Sequence, residues 1–316
     1  MTAAHTGVPG QHVPGQHVPG QHVSGQAPAG NRAPGSQGPA PSAPGGAGPA
    51  RSAPGPGADP WIRRFHPAPP GPAPRLVLLP HAAGNASFYF PFSRDLASYA
   101  EVLTVQYPGR QDRFAEPVPG SLEAMVEGVH QALRPWLDRP LVLFGHSMGA
   151  MIAFELARRM QAGGPEDGSD VLRGLIVSGR PSPLIHREDE AYPRDDEELL
   201  AHLGALAGTD PLLLADEDFR ELILPSLRGD YRAVESYRYE PGPALRVPVS
   251  VLCGEQDPRA GVAESMAWRD LTAEAFTCRG FPGGHFYLVD HADAVVRAIA
   301  EDMVAFGACA GSVPGR

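Results

Sequence analysis

The chain has 316 residues, with 26 basic side chains, all of them Arg, against 36 acidic ones, for a formal net charge of −10. An acidic chain argues against nucleic-acid binding, and no apolar run approaches the ~18 residues that a membrane helix needs. The start, Met1-Thr2-Ala3-Ala4-His5, has neither the basic nor the apolar region of a signal peptide, and Cys253, Cys278 and Cys309 have no metal or disulfide-framework spacing, so a cytoplasmic protein with no nucleic-acid or membrane partner is expected.

Residues 1–60 hold 12 Pro and 13 Gly and almost no large apolar side chain. Such a stretch cannot bury a core and is expected to be disordered. Val-Pro-Gly-Gln-His recurs three times from Val8, and Pro-Gly favours a β-turn. His12, His17 and His22 therefore repeat every five residues. They either hold a metal loosely or simply belong to a solvated low-complexity tail. Residues 61–310 carry the apolar content of one α/β domain.

Trp61-Ile62-Arg63-Arg64-Phe65 marks the domain edge. Arg75 to Leu79 reads as a strand stopped by Pro80. The small residues His81-Ala82-Ala83-Gly84 then lead to a helix over Phe88 to Leu96. Such a loop is either an ordinary β–α connection or the place where an oxyanion donor sits. Val102 to Val105 is a second strand. Apolar residues at helical spacing predict a helix from Leu122 to Leu137.

Leu141-Val142-Leu143-Phe144 then runs into Gly145-His146-Ser147-Met148-Gly149, and an apolar helical segment follows. This is strand, sharp turn, helix, with a serine at the apex, the pattern of a nucleophile elbow. Ser147 needs a strained turn to stand clear of the sheet, and the two glycines avoid collisions between strand and helix. The Met148 N–H opens the helix and is placed to meet a negative charge.

Gly174 to Gly179 is a further buried strand. A long insertion follows, about residues 181–242. Asp195-Asp196-Glu197-Glu198 opens one helix with Leu199, Leu200, Leu203 and Leu206 on a side. A second opens near Asp216 with Phe219, Leu222, Ile223 and Leu227. These helices form a lid whose apolar faces line a pocket, or a plain decoration of the fold. Val247 to Cys253 is a strand leading to Asp257. Phe276 to Phe281 is the last strand, His285 follows it, and a helix from about Asp293 to Phe306 closes the chain. Alternating apolar strands and helices predict a mainly parallel central sheet covered by helices on both faces.

Ser147, Asp257 and His285 stand in the order nucleophile, acid, base, each after its own strand. That is the chain order of α/β-hydrolases. His285 is expected to take the serine proton and Asp257 to fix its tautomer. The backbone N–H groups of Met148 and Ala82 are expected to hold the oxyanion. Asp290 and Asp293 follow His285 and break the order. His66, His130, His186, His202 and His291 stand in poorer contexts, and His146 is given no proton-transfer role.

Particular stretches carry a resemblance. They are Pro80-His81-Ala82-Ala83-Gly84, Tyr107-Pro108-Gly109-Arg110-Gln111-Asp112-Arg113, the Gly-His-Ser-Met-Gly elbow, Leu224-Pro225-Ser226-Leu227-Arg228-Gly229-Asp230-Tyr231, Gly254-Glu255-Gln256-Asp257-Pro258 and Gly283-Gly284-His285-Phe286-Tyr287-Leu288. From about Arg75 to Phe306 the chain resembles the type II thioesterases of polyketide and non-ribosomal peptide synthases. The resemblance implies an α/β-hydrolase fold with a helical lid, and a hydrolase clearing stalled acyl groups from acyl or peptidyl carrier proteins. No cofactor or metal is implied, because the phosphopantetheine belongs to the substrate. Ala83 stands where that family commonly has glycine, a minor departure. A general carboxylesterase or lipase, and a non-catalytic scaffold, are the competing readings.

Overall fold

The computed structural model describes residues 59–185, 195–206 and 211–309. The chain divides into two units, Met1–Arg51 and Ser52–Arg316. The repeat tail with His12, His17 and His22, the lid residue His186 and the expected domain end at 310 lie outside the described residues.

Seven strands form one sheet in the order β1-β3-β2-β4-β5-β6-β7. In chain order they are β1 (Ile62–Arg63), β2 (Arg75–Leu79), β3 (Glu101–Val105), β4 (Leu141–His146), β5 (Leu172–Ser178), β6 (Val249–Gly254) and β7 (Phe276–Phe281). All neighbours are parallel except β1, which pairs antiparallel with β3 through Ile62 against Val105 and Arg63 against Thr104. The mainly parallel sheet covered on both faces that the alternating pattern predicts is borne out, and the Trp61 segment leads into an edge strand.

The helices are α1 (Phe90–Leu96), α2 (Leu122–Leu133), α3 (Met148–Gly163), α4 (Asp196–Ala205), α5 (Pro211–Ala215), α6 (Glu217–Ser236), α7 (Val262–Met266), α8 (Tyr287–Asp290) and α9 (Ala292–Ala305). Side chains alternate across each strand, so the sheet feeds two cores. Val77, Leu79, Leu143, Leu175 and Val251 pack with α2, α3 and the lid helices. Leu76, Leu78, Phe144, Ile176 and Leu252 pack with α1 and α9. Burial on both faces explains why the strands read as continuous apolar runs.

Two helix boundaries differ from expectation. The Leu122 to Leu137 helix ends at Leu133, and Arg134–Trp136 tightens into a 3₁₀ turn. Pro135 lacks the N–H that an α-turn requires there. Ahead of α1, Ala86–Tyr89 is likewise a 3₁₀ turn.

The insertion holds α4, α5 and α6. Asp195 caps α4 by accepting the Glu197 N–H at 2.9 Å, and Asp216 caps α6 by accepting the Phe219 N–H at 2.8 Å. Each cap satisfies an N–H that the first turn leaves unbonded. Leu199, Leu200 and Leu203 are buried as expected, whereas Leu222 is half exposed. The inner face of α6 is instead built from Leu227, Asp230, Tyr231 and Val234.

Candidate active site

Parallel strands present their carboxyl ends on one side of the sheet, where ligands of such folds bind. There β2 delivers His81 and Ala82, β4 delivers Ser147, β6 delivers Asp257 and β7 delivers His285.

Ser147 has φ 55° and ψ −116°, a backbone conformation that side chains other than glycine's rarely adopt. Its N–H donates to the Ser178 carbonyl at 2.8 Å, which ties the turn to β5. A Cβ on Gly145 would run into the Gly149 carbonyl, and one on Gly149 would run into those of Leu79 and Pro80. The elbow therefore exists because strand and helix approach backbone to backbone. Met148 is the first residue of α3, so its N–H has no intrahelical acceptor.

Asp257 and His285 are buried, at 5 % and 2 % exposure. His285 Nδ1 donates to Asp257 Oδ2 at 2.8 Å. Asp257 Oδ1 accepts the Arg259 N–H at 2.8 Å, so both carboxylate oxygens are engaged. Gln256 fastens the two loops, its N–H donating to the Gly283 carbonyl at 3.0 Å while its Oε1 accepts the Gly283 N–H at 2.5 Å. With Nδ1 occupied, Nε2 is the ring nitrogen left for chemistry.

Ser147, Met148, Ala82 and His285 line one cavity of about 20 Å³. That is room for about one water. Leu203, Leu206, Tyr231 and Val234 of the lid close over it, and Arg180 and Arg259 border it. The lid helices thus face the site.

Sequence reasoning missed two histidines here. His81 packs its ring 4.9 Å from Phe286 and 4.7 Å from Phe88. Burial, then the positive ends of His285 and Arg110, push its pKa down to about 3. His202 of α4 accepts from the Arg259 guanidinium at 2.7 Å and is also shifted down, by burial and then by Arg259 and His285. His81 stands in the Pro80–Gly84 stretch, which pointed to a backbone donor and not to its imidazole; His202 had no local motif, and only the folded lid brings it to the cleft.

His146 is fully buried, with Nδ1 2.8 Å from the Ser178 hydroxyl, which is 2.7 Å from the Tyr287 hydroxyl. Burial, then His285 and His81, hold its pKa well below 6.5. In the unfolded chain this imidazole takes a proton near 6.5 that the folded one refuses. The stability it contributes is complete above that pH and is lost as pH falls, at roughly 1.4 kcal/mol per pH unit. His81 and His202, also shifted down, add to the slope in the same sense, so denaturant unfolding at several pH values below 6.5 is expected to show a slope that His146→Gln reduces by about this amount; identical slopes would contradict a neutral His146.

The fold is that of an α/β-hydrolase, with Ser147 and His285 lining one cavity and Asp257 hydrogen-bonded to His285 above a parallel sheet. The thioesterase domain family model matches residues 74–303, and the chain belongs to that family. It is 45 % identical over 241 residues to the probable cadicidin biosynthesis thioesterase of Streptomyces griseus, covering 76 % of this chain and 65 % of that protein, which is under two thirds of its length. It is 45 % identical over 245 residues to thioesterase PikA5 of Streptomyces venezuelae, covering 77 % of this chain and 85 % of that protein. Among solved structures, the type II thioesterase BorB from the borrelidin biosynthetic cluster superposes with a TM-score of 0.70 at 46 % identity, over 77 % of this chain and 98 % of that one. The resemblance to type II thioesterases is borne out.

Proposed function

We propose that the chain hydrolyses acyl thioesters carried on the phosphopantetheine arms of acyl or peptidyl carrier proteins, clearing stalled or wrongly loaded groups from a modular synthase in the cytoplasm. The observation that carries this reading is the buried Asp257–His285 hydrogen bond at 2.8 Å beside the Ser147 elbow. Its membership of the thioesterase family selects a thioester among the bonds that such a serine can attack.

In this mechanism the Ser147 hydroxyl attacks the thioester carbonyl carbon and passes its proton to His285 Nε2. Asp257 holds Nδ1–H and stabilises the imidazolium. The Met148 and Ala82 N–H groups take the negative charge that develops on the carbonyl oxygen. The C–S bond breaks, and His285 returns the proton to the departing thiolate. Water, deprotonated by the same Nε2, then attacks the acyl-serine ester and releases the carboxylic acid with Ser147 restored. Each step uses the chain's own groups and water, so no cofactor enters it. Arg180 and Arg259 at the cleft suit an anionic substrate arm.

The test compares acyl-carrier or acyl-N-acetylcysteamine thioesters with matched oxygen esters. Thioester hydrolysis well above a Ser147→Ala control is expected. A strong preference for oxygen esters would point to a general carboxylesterase. Failure of a fluorophosphonate to label Ser147 in a manner dependent on His285 would point to a non-catalytic protein.

A further inference from the structure

Two of the stretches that carry the resemblance, Tyr107–Arg113 and Leu224–Tyr231, meet beside the Ala82–Ala83 loop. Asp230, on the inner face of α6, is fully buried. Its Oδ2 accepts the Ala83 N–H at 2.7 Å and a hydrogen bond from the Arg110 guanidinium. Arg110 is itself 4 % exposed, donates to the Pro108 carbonyl at 2.9 Å and lies 5.1 Å over the Tyr107 ring. Gln106 extends the network: its Oε1 accepts the Ala86 N–H at 2.8 Å and its amide donates to the Arg110 carbonyl at 3.1 Å. Side chains from two distant parts of the chain thus grip the backbone of one short loop at Ala83 and Ala86.

An ion pair removed from water is a weak source of net stability, and apolar residues of equal volume often serve as well. This pair is costlier than most, since Asp230 Oδ1 and Arg110 Nε find no hydrogen-bond partner among the described residues. What it supplies that apolar packing does not is a fixed acceptor for one N–H. Ala83 has φ 59°, a conformation that alanine does not hold unaided. Ala82, one peptide away, lines the cleft with Ser147, while its own N–H has no acceptor among the described residues.

We propose that Asp230, backed by Arg110, is a positioning residue that aims the Ala82 N–H at the oxyanion. Because Asp230 sits on α6 beside Tyr231, which with Val234 lines the cleft, the lid and the oxyanion donor move as one piece. This inference rests on the proposed roles of Ser147 and Ala82.

The test uses the full chain carrying Arg110→Met with Asp230→Leu, which replaces the pair by apolar volume, and separately Asp230→Asn. The double variant is expected to fold, with kcat about 100-fold lower and KM within about threefold of wild type. Asp230→Asn, which keeps one acceptor oxygen, is expected to lose about tenfold in kcat. Affinity for an arylboronate, whose tetrahedral serine adduct needs the same donors, is expected to fall in parallel. A folded double variant with kcat and boronate affinity unchanged overturns the proposal. Should the double variant not fold, Asp230→Asn decides: a lowered Tm with unchanged kcat and boronate affinity makes the pair a structural strut and equally overturns it. The boronate reading does not depend on the ester preferred, so absent thioester turnover would count against the function and not against this clamp.

Discussion

Replacing Ser147 by glycine is expected to cut kcat about 10⁶-fold and to raise Tm at the same time. The loss is that of the attacking hydroxyl, which no neighbour replaces. The gain comes from the backbone. A serine held at φ 55° costs on the order of 1–3 kcal/mol. Glycine adopts that conformation freely but loses up to about 1 kcal/mol of unfolded-chain entropy on folding. A net gain of about 1 kcal/mol corresponds to roughly 2–4 °C in Tm for a domain of this size. Calorimetry and single-turnover hydrolysis on the same preparation check both halves. An unchanged or lower Tm would mean that the elbow stores no strain.

Asp257→Asn is expected to lower kcat about 10⁴-fold with the fold intact. The carboxamide keeps an oxygen for the Arg259 N–H, so the loop survives. Its NH₂ then faces His285 Nδ1, which must become the acceptor. The ring proton moves to Nε2, the nitrogen that should receive the serine proton. Steady-state kinetics with far-UV circular dichroism distinguishes this from unfolding. A variant with kcat within about tenfold of wild type would remove Asp257 from the mechanism.

Much of the molecule was readable from local pattern. The parallel strands announced themselves because both faces are covered, so no polar residue interrupts them for long. The elbow was readable because glycines at 145 and 149 flank a serine between an apolar strand and an apolar helix. Asp195 and Asp216 marked the lid helices because a cap is a local interaction. What escaped was either too short or too distant. β1 has two residues, too few to show a period, and its identity comes from pairing with Val105 and Thr104. Leu222 fits the helical spacing yet faces outward, because α6 turns Asp230 inward to meet a partner 120 positions earlier. Ala83 reads as a minor departure from the glycine that the resemblance implies, yet its φ of 59° is a conformation that glycine adopts freely and alanine does not. His202 became a neighbour of the site only through the assembled lid, and the His81 ring, beside Ala82 in sequence, was turned into the cleft wall by its packing on Phe88 and Phe286.

The proposed acid and base, Asp257 and His285, follow β6 and β7, the outermost pair on one side of the sheet, whereas the proposed nucleophile, Ser147, follows β4 near its middle. β4 is buried along its whole length, but β7 is buried only at its last residue, Phe281. Margins of a sheet fray at lower free-energy cost than its centre. Moderate heat will therefore inactivate the protein reversibly while most of its secondary structure persists, and the first symptom of thermal damage will be a silent but still folded enzyme.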